Sequence, residues 1–156
     1  MSPIEFFVPG EPKAQPRPRA FARRMGDKFV ARVYDAGTAE GWKSAIALAA
    51  RGHIPASPML GPIRLTLDFA FARPRSHYGT GRNAAVLKPT APPDHIGKPD
   101  LDNLEKAVMD CLTTLGFWGD DSQVWSKMTS KSYSREPGVR VCIHAKAAAL
   151  AGEAAA

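Results

Sequence analysis

Ile63-Arg64-Leu65-Thr66-Leu67-Asp68-Phe69-Ala70-Phe71 alternates large apolar residues with polar or small ones over its whole length. In an extended chain successive side chains point to opposite faces. Ile63, Leu65, Leu67, Phe69 and Phe71 therefore share one face, and Arg64, Thr66, Asp68 and Ala70 share the other. This is a strand buried on one side only, so other parts of the chain must cover that side. Two segments have the apolar stripe of a covering helix. In 39–51, Trp42, Ala45, Ile46 and Ala49 recur at helical spacing, with Thr38 placed to cap the start and Gly52 to stop the end. In 101–114 the stripe is Leu101, Leu104, Val108, Cys111 and Leu112, continued by Leu115 and closed by Gly116.

Shorter strands surround this pair. Ile4, Phe6 and Val8 alternate with polar positions and end at Pro9-Gly10-Glu11-Pro12. Met25-Gly26-Asp27-Lys28 is a hairpin turn between two short strands, the second covering 29–34. Strands over 123–133 and 139–144, joined by a turn at 135–138, complete the set. The expected fold is a two-layer α+β domain over 1–146: a small mixed sheet with two main helices on one face. The alanine-rich end, 147–156, is expected to fray.

At 156 residues the chain can bury a core without covalent staples. Its 44% apolar and 23% charged residues are ordinary for a soluble domain. No apolar run approaches the roughly 20 residues of a membrane span, and the first residues lack an export signal, so a cytoplasmic protein with no membrane partner is expected. Cys111 and Cys142 have no ligand spacing, which argues against a disulfide framework. With 14 prolines and 13 glycines, loops are extensive. Residues 73–99 form the longest, and loops of that length are usually functional or mobile.

Charge is segregated. Residues 13–32 hold Lys13, Arg17, Arg19, Arg23, Arg24, Lys28 and Arg32 against Asp27 alone, which equals the whole net charge of +6. Residues 73–93 add Arg73, Arg75, Arg82 and Lys88 with no acid. A polyphosphate partner favours such concentration, because each neutralised phosphate releases condensed counterions. A solvated basic loop is the bland alternative.

Acids cluster at two points. Pro99 drives Lys98 toward an extended conformation, so Asp100 and Asp102 sit where loop becomes helix, and their carboxylates can converge there. Such a pair is half of a Mg²⁺ site, since that ion takes one or two carboxylates together with waters and phosphate oxygens. Capping explains the same residues: Asp102 as N-cap, Glu105 reaching back, Lys106 pairing with Asp102. The second point, Gly119-Asp120-Asp121-Ser122, also has a simple explanation as a polar turn. A helix of about 14 residues is about 21 Å long, so spacing alone does not bring Asp121 to Asp100.

Lys98-Pro99-Asp100-Leu101-Asp102-Asn103-Leu104, followed by Lys106, Asp110, Leu112, Trp118, Asp120-Asp121-Ser122-Gln123-Val124 and Lys131, resembles the signature of the RusA family of crossover junction endodeoxyribonucleases. Pro9-Gly10-Glu11-Pro12 and Gln15-Pro16-Arg17-Pro18-Arg19 are similar to the amino-terminal segment of phage and bacterial members. The resemblance implies a homodimeric, Mg²⁺-dependent nuclease that nicks four-way DNA junctions, with Mn²⁺ as a possible substitute. It implies metal-binding carboxylates at Asp100, Asp102 and Asp121, with Asp120 a weaker candidate, and a basic catalytic residue at Lys106. Family dimers bring acids of both chains close together. Lys13, Arg17, Arg19, Arg23 and Arg24 of the basic arm, with Lys98 and Lys131, are the expected DNA contacts.

Two other readings compete. A non-catalytic DNA-binding protein would use the acids as caps and turns, and a phosphohydrolase of small metabolites would have no need of the arm. His95 is a weaker ligand candidate, Phe21 and Phe29 could stack at an opened junction or pack in the core, Cys111 belongs to the core, and Asp68 to a polar face.

Overall fold

The computed structural model describes residues 2–16, 19–25, 28–34 and 39–146, with backbone alone over 19–34. In chain order the elements are β1 (Ile4–Pro9), β2 (Arg19–Met25), β3 (Lys28–Tyr34), α1 (Glu40–Ala50), β4 (Ile63–Ala72), α2 (Leu101–Thr114), β5 (Val124–Ser134) and β6 (Gly138–Ala145). Short 3-10 turns lie at Arg51–His53, Arg75–His77, Gly81–Asn83 and Asp121–Gln123.

The alternating stretch becomes β4, an inner strand. Ile63, Leu65, Leu67 and Phe69 are fully buried, and Phe71 nearly so, while Arg64 and Asp68 are exposed. The main sheet runs β1-β6-β4-β5. β1/β6 and β6/β4 are antiparallel and β4/β5 is parallel, so the sheet is mixed. A parallel neighbour cannot be reached by a tight turn, and α2 lies within the long crossover between β4 and β5. β2 and β3 form a separate antiparallel ribbon closing at Met25↔Lys28, as the hairpin pattern predicts, with residues 26 and 27 outside the described set.

Both helices cover one face of the sheet. Trp42, Ile46 and Ala50 of α1, and Leu104, Ala107, Val108, Cys111 and Leu112 of α2, join the inward residues of β1, β4 and β6 in one core. Each fully buried aliphatic side chain of this kind contributes about 1.5–3 kcal/mol relative to exposure. Cys111 is core, as expected.

Two expectations at α1 need correction. The capping position is Ala39, which makes no side-chain cap; Thr38 lies outside the described residues. Gly52 does not stop the helix in a left-handed conformation. The helix tightens into the 3-10 turn Arg51–His53, and Ile54 is then extended because Pro55 follows it. Residues 73–99 are also more ordered than a simple loop. They fold on themselves through a Tyr78–Leu87 bridge, and their end pairs Asp94 with Ser132 along β5. Residues 147–156 lie outside the described set.

The end of α2 positions everything after it. Gly116 has φ +82°, its N–H donates to the Thr113 carbonyl, and the Phe117 N–H donates to the Leu112 carbonyl. This is the paired closure of a glycine-ended helix. It turns the chain so that Phe117 and Trp118 enter the core and β5 starts back along α2. Replacing Gly116 with Ala forces a side chain into the left-handed region and should lower stability in urea unfolding by about 1–2 kcal/mol. The same change at Gly52, whose φ is not positive, should be neutral or stabilising.

Candidate metal centre and DNA-binding face

Asp100 occupies the N-cap position of α2 with extended backbone (φ −72°, ψ 146°), and its carbonyl accepts the first helical bond from the Leu104 N–H at 3.2 Å. Its carboxylate makes no cap hydrogen bond. An N-cap aspartate ordinarily accepts from a backbone N–H one turn on, so this carboxylate is not consumed in closing the helix. Asp102 lies in the first turn, two residues past the N-cap position that capping by Asp102 requires. Glu105 does not reach back either. Its carboxylate accepts from Lys127 on β5 at 2.8 Å. The capping explanation of this stretch therefore fails in each of its parts that the hydrogen bonds describe.

Lys106, expected to serve the phosphate, lies 3.3 Å from Asp110 one turn further along the helix. The pair is exposed, and exposed i,i+4 pairs contribute about 0.3–0.5 kcal/mol, too little to hold the ammonium against a phosphate.

Lys131 departs most from expectation. Its half-buried ammonium has a structural task that the resemblance does not imply: it donates to the carbonyls of Gly97 at 2.6 Å and Pro99 at 2.8 Å. The same residue's carbonyl accepts from the His95 N–H at 3.2 Å, and the Tyr133 N–H donates to the Pro93 carbonyl. Lys131 thus pins the segment carrying Lys98, through a cis Lys98–Pro99 bond, into Asp100. Lys98 itself is exposed. His95 stacks on Phe71, with ring centroids 4.2 Å apart, and against Tyr133, so its ring packs the root of the lobe rather than joining the acids.

Asp121 sits at the other end of α2. Its Oδ1 accepts from the Thr113 hydroxyl and, at 3.2 Å, from the Trp118 indole N–H. Asp120 caps the 3-10 turn instead: it accepts from the Ser122 N–H at 2.8 Å, while the Gln123 side chain returns to the N–H groups of Gly119 and Asp120. Hydrogen bonds from the Ser122 hydroxyl and backbone hold the Asp120 carboxyl below the usual range. The polar-turn explanation holds for Asp120 and not for Asp121. Thr113 and Trp118 are positioning residues that spacing does not reveal, because they meet Asp121 only after the chain has turned at Gly116.

The three aspartates do not meet within one chain. Asp100 and Asp102 flank the start of a 14-residue helix, whose length is about 21 Å, and Asp121 is bonded to its last turn. Among the described residues no group of three or more His, Cys, Asp or Glu side chains could hold a metal. The carboxylates stand as two separate halves: a pair at one end of α2 and a single oriented carboxylate at the other.

The basic arm is rooted beside the first half. The Gln15 N–H donates to the Asn103 carbonyl in the first turn of α2, at 3.0 Å. From there the chain enters the β2–β3 ribbon, whose backbone carries Arg19, Arg23 and Arg24. Lys13 is exposed, and Arg17 lies outside the described residues, as do the side chains of Phe21 and Phe29. Asp68 accepts from the Ser130 hydroxyl on the uncovered sheet face, its expected polar setting.

A family model described as Endodeoxyribonuclease RusA matches residues 9–144. The chain belongs to the RusA family. It is 34% identical over 148 residues to "Uncharacterized protein YqaN" of Bacillus subtilis (strain 168), which spans 92% of this chain and 96% of that protein. A shorter stretch of 25 residues, 16% of this chain and 21% of the relative, is 68% identical to "Crossover junction endodeoxyribonuclease RusA" of Escherichia coli (strain K12). Shigella sonnei (strain Ss046) has a relative of that name at the same figures. Family membership agrees with the resemblance drawn from 98–124 and with the α+β fold. No helix among the described residues is long and apolar enough to cross a membrane.

Lys131→Met keeps the length of the side chain and removes its donors, leaving two carbonyls without their charged partner. It should lower stability by about 1–3 kcal/mol and speed hydrogen exchange at the Leu104 amide, which opens α2, before that of the β4 amides. Exchange read by NMR or mass spectrometry checks both.

Proposed function

We propose that this protein is a divalent-metal-dependent endodeoxyribonuclease that nicks branched DNA, four-way junctions foremost, in recombination and repair, and that it works as a homodimer. Membership of the RusA family supports the reaction class. The observation that carries the assignment to residues is the uncapped Asp100 carboxylate, beside Asp102, at a helix start that Lys131 holds in place.

The separation of Asp121 from this pair supports a composite site. In a two-fold dimer the same patch of each chain faces its copy. Two chains related in this way can bring Asp121 of each to the Asp100–Asp102 pair of the other, forming two equivalent sites for paired nicking. Asp100, Asp102 and Asp121 would hold Mg²⁺, or Mn²⁺ in its place, with Asp120 left to its turn. A bound cation of this kind supplies a Lewis acid at the phosphoryl oxygen and an activated water as nucleophile. Lys106, one turn from Asp102, swings from Asp110 to the phosphate and offsets the charge that develops on it. The Thr113 hydroxyl and the Trp118 indole fix one Asp121 oxygen, directing the carboxylate without neutralising it. The arm, anchored through Gln15 to the first turn of α2, lays Lys13, Arg17, Arg19, Arg23 and Arg24 along the phosphates close to the acids, and exposed Lys98 adds a contact beside Asp100. Phosphate contacts of this sort position a protein without reading base sequence.

Asp102→Asn and Asp121→Asn should each abolish Mg²⁺-dependent nicking of a synthetic four-way junction while sparing its binding. Co-expressed, the two variants should regain nicking. A mixed dimer keeps one intact site if each site draws on both chains, and none if a site is built within one chain. A wild-type protein that binds the junction and never nicks it, with either metal, would leave a structure-specific DNA-binding protein in place of the enzyme.

The logarithm of the binding constant should fall steeply with the logarithm of salt concentration. Arg23→Ala with Arg24→Ala should flatten that slope by about 2, close to one unit for each phosphate that the arm no longer neutralises. An unchanged slope in a fluorescence-anisotropy titration excludes the arm from the backbone.

A further inference from the structure

The helices cover one face of the main sheet, and the described residues leave the other open. β5 carries a bulge at its start: Val124 pairs with Ile63 and Ser126 with Arg64, so Trp125 falls at the irregularity. Bulges commonly re-aim a side chain. Here the indole lies beside two cations, the Arg64 guanidinium 5.7 Å and the Lys146 ammonium 6.0 Å from the ring centroid. With both in place Trp125 is still 56% exposed. Arg64 also pairs across the sheet with His144. This end of the face therefore consists of one aromatic ring among Arg64, His144 and Lys146. The two acids of the face lie further along and are engaged elsewhere. Glu5 pairs across with Cys142 and meets its thiol, and Asp68 lies level with Arg140 and accepts from Ser130.

A large exposed indole costs solubility and adds nothing to this core. An aromatic face among positive charges is also the chemistry that holds an unpaired nucleobase, by stacking on the ring while the cations take the flanking phosphates. We propose that Trp125, with Arg64 and Lys146, forms a stacking platform for an unpaired nucleotide of branched or single-stranded DNA. The platform rests on DNA being the partner, as proposed above. It lies at the same end of β5 as Asp121, just beyond the Asp121–Gln123 turn, on the sheet face opposite α2, so a base drawn out of a branch would be held at the end of the sheet that carries the Asp121 half-site. The specificity thus conferred is for open structure over continuous duplex, because a paired base has no free face to offer.

Tryptophan fluorescence tests this directly. Of the three tryptophans, Trp42 and Trp118 are buried and Trp125 is exposed, so acrylamide quenching reports mainly on Trp125. The full-length protein, in EDTA to prevent cleavage, is titrated with an oligothymidylate, a synthetic four-way junction and a duplex of matched length. The first two should quench the emission and shield it from acrylamide, and the duplex should do neither. Trp125→Ala should weaken single-strand and junction binding by about 5- to 100-fold with duplex binding unchanged, and Trp125→Phe should recover part of the loss. Equal affinity in Trp125→Ala, with circular dichroism showing it folded, overturns the platform. Equal shielding by duplex overturns it too. Shielding that grows with protein concentration in the absence of DNA, with Trp125→Ala shifting a dimer to monomer in sedimentation, assigns the face to a second copy of the chain instead. Nicking distinguishes this from the nuclease proposal. Shielding without any Mg²⁺-dependent nicking removes the nuclease alone, and nicking without shielding removes the platform alone.

Discussion

Helix α2 is a rigid rod with a carboxylate pair at one end and, bonded to its other end, a third carboxylate. Fourteen residues of helix set that distance at about 21 Å, and no change of rotamer closes it. The rest of the molecule is arranged around this rod. Gly116 turns the chain back at its far end, β5 returns along it through the Lys127–Glu105 bond, and Lys131 reaches the near end to hold the carbonyls before Asp100. The parallel pairing of β4 with β5 follows from that return, since the crossover carries α2 across the sheet.

Polar groups near the acids divide into those that build and those left available. Asp120, Gln123, Glu105 and Lys131 are committed to turns, carbonyls and one inter-element bond. Asp100 occupies a position where capping is the usual use of an aspartate and does not cap. Two neighbouring aspartates in one turn likewise differ: Asp120 accepts from the backbone of its own turn, whereas Asp121 takes its donors from Thr113 and Trp118 across the corner. Building groups make the available ones rigid, and a carboxylate that must meet a cation in one geometry gains from losing its freedom in advance.

Charge follows a similar division. The net +6 resides in the arm, and the arm leaves the body of the domain at Gln15, beside the acidic turn of α2. The lobe of 73–99 spends part of its own charge internally, Arg73 on the Pro92 carbonyl and Lys88 on the Ser76 carbonyl. The open sheet face offers a different chemistry, with aromatic and sulfur-bearing surface at Trp125 and Met128 among the bases.

Local pattern determined the elements. Alternation in 63–71, the stripe of 101–115 and the glycine after it, and the proline before Asp100 each act over a few residues, so strand, helix and boundary were legible, as was the two-layer arrangement that buries both stripes. The motif around Asp100 and Asp102 was legible for the same reason. At α1 the pattern misled, because Gly52 looks like a stop only until Pro55 is weighed, and the backbone tightens before reaching it. Contacts between distant residues belonged to the tertiary structure alone. The resemblance placed Lys131 among the DNA contacts and ranked Asp120 below Asp121, but neither the carbonyls that Lys131 meets nor the partners of the two aspartates could be read from spacing. Whether an ammonium faces solvent or two carbonyls, and which aspartate meets a threonine eight residues back, depends on how the chain returns along α2. The same return decided that three aspartates sharing one motif lie at opposite ends of a helix.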